Sequence, residues 1–218
     1  LVATFAFGLT ALFIYLRSSD ALLSASRVSL ENIAQLEAQR ISTELGRGFE
    51  ANDTLSRSFL ALRQQGGFSR LSAAQVLHSQ ALNNPQWVGV GTLWEPQAFD
   101  GDDANHIDAD GHDASGRFMS YWAWQDGAPA QEPLRGYDVP GDGDWYLQPA
   151  ANKKPSVLEP YSYEIGGKKI LMTTLATPIV QDGQFLGVVT VDFALQSLQD
   201  RLSKMRPMQE GYVRLLSP

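Results

Sequence analysis

Residues 135–146 read R-G-Y-D-V-P-G-D-G-D-W-Y. Three carboxylates, Asp138, Asp142 and Asp144, stand among Tyr137, Trp145 and Tyr146. An aromatic face attracts a cation through its ring quadrupole by about 0.5–2 kcal/mol. A carboxylate adds a charge-assisted hydrogen bond. The same residue types also serve a turn-rich loop whose Trp145 and Tyr146 simply anchor it in a core. A further acid, Asp192, lies in the apolar run V-V-T-V-D-F, residues 188–193. A carboxylate buried in such a strand needs a partner. Acids beside aromatic faces suit a protonated amine.

Other chemistries find less support. The chain has no cysteine, which excludes disulfides and thiolate catalysis. It has neither a G-x-S-x-G elbow nor a phosphate-binding Walker loop. Carboxylates are plentiful, but no pair is singled out for acid/base hydrolysis. His78 lies in a helical stretch and reads as a surface or lightly packed residue. His106 and His112 lie in the acidic stretch 100–116, where Asp108-Ala-Asp110-Gly111 resembles part of a calcium loop. His106 and Arg117 occupy that loop's first and twelfth positions, where an acid or amide and a Glu belong. The stretch is therefore expected to be a mobile, solvated connection with no metal, and no cofactor is expected either. Asn52-Asp53-Thr54 has the form of a glycosylation triplet but falls inside a helical pattern. A net charge of −7 argues against a nucleic-acid surface.

The elements that position these residues follow from periodicity. Residues 1–16 carry no charge and end at Arg17, which reads as a fragment of a transmembrane helix, with a signal-peptide core as the alternative. A proline-free stretch over 18–65 places Leu30, Ile33, Ile41, Leu45, Phe49, Phe59 and Leu62 largely at helical spacing. It predicts one long helix, stopped by Gly66-Gly67. Ser72-Ala-Ala-Gln75 has the form of a capping box opening a second helix that ends near Pro85. Strands are expected over 87–94, 117–124, 161–165, 168–177 and 184–193. Gly166-Gly167 and Asp182-Gly183 mark tight hairpins. A helix over 195–204, ended by Pro207, follows, and 211–216 reads as the first strand of a further unit. The domain order is a membrane fragment (1–16), a long helix (17–66), a sheet-bearing lobe (67–206) and the start of another lobe (207–218).

This order, with Y-D-V-P-G-D-G-D-W-Y, then Val157-Leu-Glu-Pro-Tyr161, Met172-Thr-Thr-Leu-Ala-Thr-Pro178 and Gly187-Val-Val-Thr-Val-Asp-Phe193, resembles the double Cache sensor domain of bacterial chemoreceptors. The resemblance covers nearly the whole chain. It implies an α+β fold, a long N-terminal helix packed on a PAS-like antiparallel sheet lobe, with the membrane-proximal lobe truncated. It also implies a periplasmic sensor in the bacterial inner membrane, a homodimer, and a small-molecule ligand without catalysis. Carried over, Trp145 and Tyr146 match the family's aromatic pair and Asp192 its ammonium-binding acid. Tyr137 falls one residue from the family's upstream Tyr. The Arg that would hold a ligand carboxylate is replaced by Gly143, next to Asp144. That departure resembles the amine-sensing branch, whose ligands include polyamines and histamine. The expected site is Tyr137, Asp144, Trp145, Tyr146 and Asp192, with Tyr121 and Trp122 as further aromatic candidates. The alternatives are an amino-acid or other metabolite sensor of a receptor kinase or diguanylate cyclase, and a membrane-anchored acid/base hydrolase.

Overall fold

The computed structural model describes residues 2–205 and 211–213, with residues 2–6 and 9 described by backbone alone. The described elements run α1 (Val2–Gln65), α2 (Arg70–Asn83), β1 (Gly89–Trp94), β2 (Met119–Gln125), β3 (Ala128–Glu132), α3 (Asp144–Asn152), β4 (Ser156–Val157), β5 (Tyr161–Ile165), β6 (Lys168–Gln181), β7 (Gln184–Ala194) and α4 (Leu195–Ser203). A short 3-10 turn covers Asp103–Asn105. The chain divides into two compact units, residues 1–44 with 199–218, and residues 45–198.

In the first unit the leading part of α1 carries the uncharged N-terminal run. No described helix is long and apolar enough to cross a membrane. Further along, buried Glu37 and exposed Arg40 pair at 2.7 Å, and Arg201 of α4 forks onto both oxygens of Glu44 at 2.7 and 3.2 Å. Gly211–Val213 has no regular structure; the rest of the expected strand over 211–216, and Pro207, lie outside the described residues.

The second unit is built on one antiparallel sheet of order β3-β2-β1-β7-β6-β4, with β5 on the edge of β6. Three hairpins set its register. Asp182-Gly183 and Gly166-Gly167 join β6–β7 and β5–β6, and Asp126-Gly127 joins β2–β3; both residues of each pair have positive φ. Asn-Gly- or Asp-Gly-type pairs adopt this left-handed geometry readily, and its twist matches that of the strands. The third hairpin adds β3, which sequence periodicity alone did not separate from loop.

Alternation along the strands gives the sheet two different faces. On one face Val90, Trp94, Leu175, Val189, Val191 and Phe193 pack against Leu55 and Phe59 of α1 and against Ala73, Leu77 and Ala81 of α2. Gly48 lets α1 come close, since a Cβ there would meet Leu175 Cδ1 at 2.6 Å. Asn52 is wholly buried and donates to the Leu175 carbonyl at 2.8 Å, so it offers no acceptor for a glycan. On the other face Leu93, Met119, Ala176 and Val188 pack with Trp145, Tyr146 and Leu158. Central strands buried on both faces read as near-continuous apolar runs, which is why the β7 stretch stands out in the sequence.

Helix α2 starts earlier than the capping box suggests. Ser69 is its N-cap, accepting from the Ser72 backbone N–H at 3.1 Å. Ser72 therefore supplies the capped amide rather than the cap. The larger correction is α3: residues 144–152 form a helix that begins within the stretch whose composition reads as a turn-rich loop.

Candidate functional site

The two-faced sheet decides where each candidate points. Asp192 on β7 faces away from α1 and α2 and is 4% exposed. Its Oδ2 accepts from Tyr121 Oη at 2.7 Å and its Oδ1 from Thr174 Oγ1 at 2.6 Å. The Thr174 proton is thereby committed, so Tyr161 Oη, 2.7 Å from Thr174 Oγ1, donates into the same chain. Around these groups lies a small open cleft lined by Tyr121, Leu134, Trp145, Tyr161, Tyr163, Thr174, Thr190 and Asp192.

The electrostatics of the cleft follow from burial. Desolvation lifts the Asp192 carboxyl to about 6, and only the two hydroxyl donors pull against it. Desolvation, with the Asp192 charge nearby, pushes Tyr121 and Tyr161 well up, so both stay neutral donors. Among the described residues no lysine, arginine or histidine forms an ion pair with Asp192. A nearly inaccessible carboxylate held by neutral hydroxyls alone is an uncompensated negative charge.

Two glycines make room for Tyr121. Gly89 is the register partner of Asp192, and Gly91 is that of Tyr121. A Cβ at Gly89 would lie 2.5 Å from Tyr121 Oη, and one at Gly91 2.8 Å from its ring. The G-V-G of β1 is the slot in which the tyrosine lies to reach the acid.

Of the seven candidates, Asp192, Trp145 and Tyr121 line this cleft and the other four do not. Trp122 alternates to the opposite face and sits 4.5 Å, ring to ring, from His78 of α2. Asp144 opens α3, where its Oδ1 accepts from the Gly141 N–H at 2.9 Å and its Oδ2 from Gln148 at 3.3 Å. An acid in the first turn is favoured by the helix dipole, and this one is used there rather than in the cleft.

Tyr137 and Tyr146 do meet a cation, but it is the chain's own. The Arg117 guanidinium carbon lies 5.2 Å from the Tyr137 ring centre and 4.9 Å from that of Tyr146. Arg117 donates to the Trp94 carbonyl and to Tyr146 Oη, and it pairs with Glu95 at 3.3 Å. Tyr146 Oη also bonds Glu95, and Tyr137 Oη donates to Asp113 at 2.9 Å. The preference of carboxylates and rings for a cation was legible in the sequence; that an internal arginine occupies Tyr137 and Tyr146 was not.

The acidic stretch 100–116 is also corrected. It is not simply a solvated connection, because Asp103 is 2% exposed. Arg70 of α2 binds Asp100 through two nitrogens, at 2.5 and 2.8 Å, and Asp103 at 2.6 Å. The hydrogen bond from Arg70 holds Asp100 below its ordinary range. These carboxylates are thus spent on an internal guanidinium.

Five lining residues were missed: Leu134, Tyr161, Tyr163, Thr174 and Thr190. A signal for two existed, since Tyr161-Ser-Tyr163 alternates in a strand and must place both rings on one face. Nothing local marks Thr174 or Leu134. Gly143 also gains a reason. A Cβ there would run into the backbone carbonyls of Gly136 and Tyr137, so no arginine fits without moving that loop.

Comparison with known proteins identifies the family and the fold. Residues 73–200 match the family described as methyl-accepting chemotaxis protein-like, first PDC sensor domain. The methyl-accepting chemotaxis protein TlpQ of Pseudomonas aeruginosa is 30% identical over 226 residues, which cover 92% of this chain and 31% of that protein. The extracellular domain of the histidine kinase mmHK1S-Z3 superposes with a TM-score of 0.71 at 30% identity, over 79% of this chain and 60% of that one. The ligand-binding domain of the Pseudomonas aeruginosa amino acid chemoreceptor PctC, solved in complex with GABA, shares the fold with a TM-score of 0.55 at 21% identity, over 84% of this chain and 67% of that one. The α+β architecture is that of these extracellular sensor domains.

Proposed function

Because this chain belongs to the family of first PDC sensor domains of methyl-accepting chemotaxis protein-like receptors, we propose that it senses a small cationic amine for a bacterial transmembrane receptor. The observation that carries the ligand class is Asp192, buried, charged near neutral pH and lacking a cationic partner among the described residues. An ammonium entering the cleft supplies the missing charge. Each carboxylate oxygen accepts one hydroxyl and has a lone pair to spare. The Trp145 ring and the tyrosine rings form the walls, and the neutral Tyr163 hydroxyl stands among them. Glycine at position 143 removes the arginine that would hold a ligand carboxylate in amino-acid-binding relatives.

The receptor sits in the inner membrane with this domain on the periplasmic side. Ligand closure of the lobe passes to the membrane along the helices of a homodimer. The domain binds without transforming its ligand, and the output is chemotactic signalling. Two experiments test this. Calorimetry with putrescine, histamine and a matched set of amino acids is expected to give amine binding that Asp192→Ala abolishes. Tight amino-acid binding with no amine binding refutes the ligand class. Cysteines placed near Ser26 on exposed α1 are expected to crosslink between subunits in membranes; failure at every helical phase refutes the dimer.

A further inference from the structure

Two lining residues of the cleft, Leu134 and Trp145, come from the connection after β3 and the start of α3. That connection lies outside the sheet, and little backbone bonding holds it. Among the described residues, 135–143 hydrogen-bonds beyond itself and α3 at two points. Arg135 N–H donates to Tyr163 Oη at 2.9 Å, and Tyr137 Oη donates to Asp113 Oδ2 at 2.9 Å. Arg117 supplies the rest of the support. It stands two residues before β2 and is 7% exposed. Its guanidinium packs on the Tyr137 and Tyr146 rings and donates to Tyr146 Oη and to the Trp94 carbonyl of β1. Its backbone N–H donates at 3.0 Å to Asp113 Oδ1, while the other oxygen of that carboxylate holds Tyr137. Tyr146 in turn meets the Trp145 ring edge-on, 6.2 Å between centres. Arg117 thus ties β1 to the first and last aromatic residues of the stretch 135–146 without lining the cleft itself.

Resting on the reading of the Asp192 cleft as the ligand site, we infer that Arg117 is a positioning residue for that site. It fixes the Trp145 wall in its binding-competent place through Tyr137 and Tyr146, and it touches no ligand. A guanidinium suits this role, because its plane stacks on rings while its fork donates in two directions; an ammonium has no such plane. Two effects of opposite sign compete at this residue. As a charge, Arg117 repels a cationic ligand, and removing it would tighten binding. As a support, it keeps the wall in one arrangement, and removing it lowers the competent fraction, so that apparent affinity falls by that fraction. The support wins, because Glu95 at 3.3 Å cancels most of the charge beyond the pair.

The test uses the purified chain labelled with 5-fluorotryptophan, in which five tryptophans give five fluorine resonances; Trp145→Phe assigns that of Trp145. Arg117→Met is expected to shift or broaden the Trp145 resonance, while Trp87, Trp122 and Trp124, which pack elsewhere, keep theirs. Calorimetry with putrescine is expected to show about tenfold weaker binding, the scale of a lost hydrogen bond with its ring contacts. Saturating putrescine is expected to return the Trp145 resonance to the parent's bound position. Tyr146→Phe keeps the ring and removes the hydroxyl that Arg117 grips. It is expected to move both readouts the same way by less, and it decides the matter if Arg117→Met does not fold. An unmoved Trp145 resonance in both variants, or parent-like or tighter putrescine binding by Arg117→Met, overturns the positioning role. Movement of all five resonances together makes Arg117 a general support of the fold and overturns it too. A parent that binds no putrescine refutes the amine reading instead, and the ligand-free Trp145 resonance then decides the positioning role by itself.

Discussion

Replacing Asp192 by asparagine is expected to abolish binding while making the empty domain more stable. The carboxyl is buried and its folded value is about 6, against an ordinary 3.8. Burial raises it, so the folded state holds this proton more tightly than the unfolded chain does. Its contribution to stability is therefore fully present below 3.8 and is lost as pH rises through about 6. The whole difference is about 3 kcal/mol at 1.36 kcal/mol per unit. Integrated between pH 5 and 7.5 it is on the order of 1 kcal/mol, or a few degrees in melting temperature for a domain of this size. Asparagine is nearly isosteric. Its carbonyl can accept from Tyr121, and its amide can donate to Thr174, whose hydroxyl then turns to Tyr161. His112, which burial holds below its ordinary value, favours higher pH over part of the same window. Only the difference between parent and variant isolates Asp192. Thermal denaturation of both from pH 5 to 7.5 is expected to show Asp192→Asn gaining on the parent as pH rises. With an amine present the order reverses, because the variant loses a charge pair of about 2–5 kcal/mol. A parent–variant difference that does not change with pH, or a variant less stable throughout, refutes the claim that the buried charge is uncompensated.

Three further substitutions test the supports of the site. Gly89→Ala places a methyl 2.5 Å from Tyr121 Oη; overpacking of this kind destabilises by about 1–3 kcal/mol, and ligand-induced thermal shifts should shrink with it. Arg70→Ala leaves Asp103 buried without its partner, which is expected to lower stability in urea by about 3–5 kcal/mol with ligand affinity changed only slightly. Gly143→Arg meets the Gly136 and Tyr137 carbonyls, so it should lower the melting temperature and fail to create amino-acid binding by calorimetry.

The amino-acid sequence by itself determined the elements whose signals are local. The unbroken pattern of α1, the Gly66-Gly67 stop, the two hairpin dipeptides and the apolar run of β7 all report short-range constraints on φ, ψ and burial. A third dipeptide of the same kind, Asp126-Gly127, turns into β3, whose Ala128-Pro129-Ala130 start lacks the β-branched alternation that marks the other strands. Asp192 was legible because a carboxylate inside an apolar strand is costly and therefore informative. What only the tertiary structure decided was which side chains share a space. Tyr121 and Trp122 are neighbours in sequence, yet pleating sends one to the cleft and the other to His78. Trp145 and Tyr146 are split by helical turning, one to the cleft and one to Arg117. Thr174 and Tyr161 reach Asp192 only through pairing of β6 with β7 and β5. Attraction between rings, acids and a cation is a property of residue types; which cation each acid meets depends on register across strands, set by packing between residues far apart in the chain.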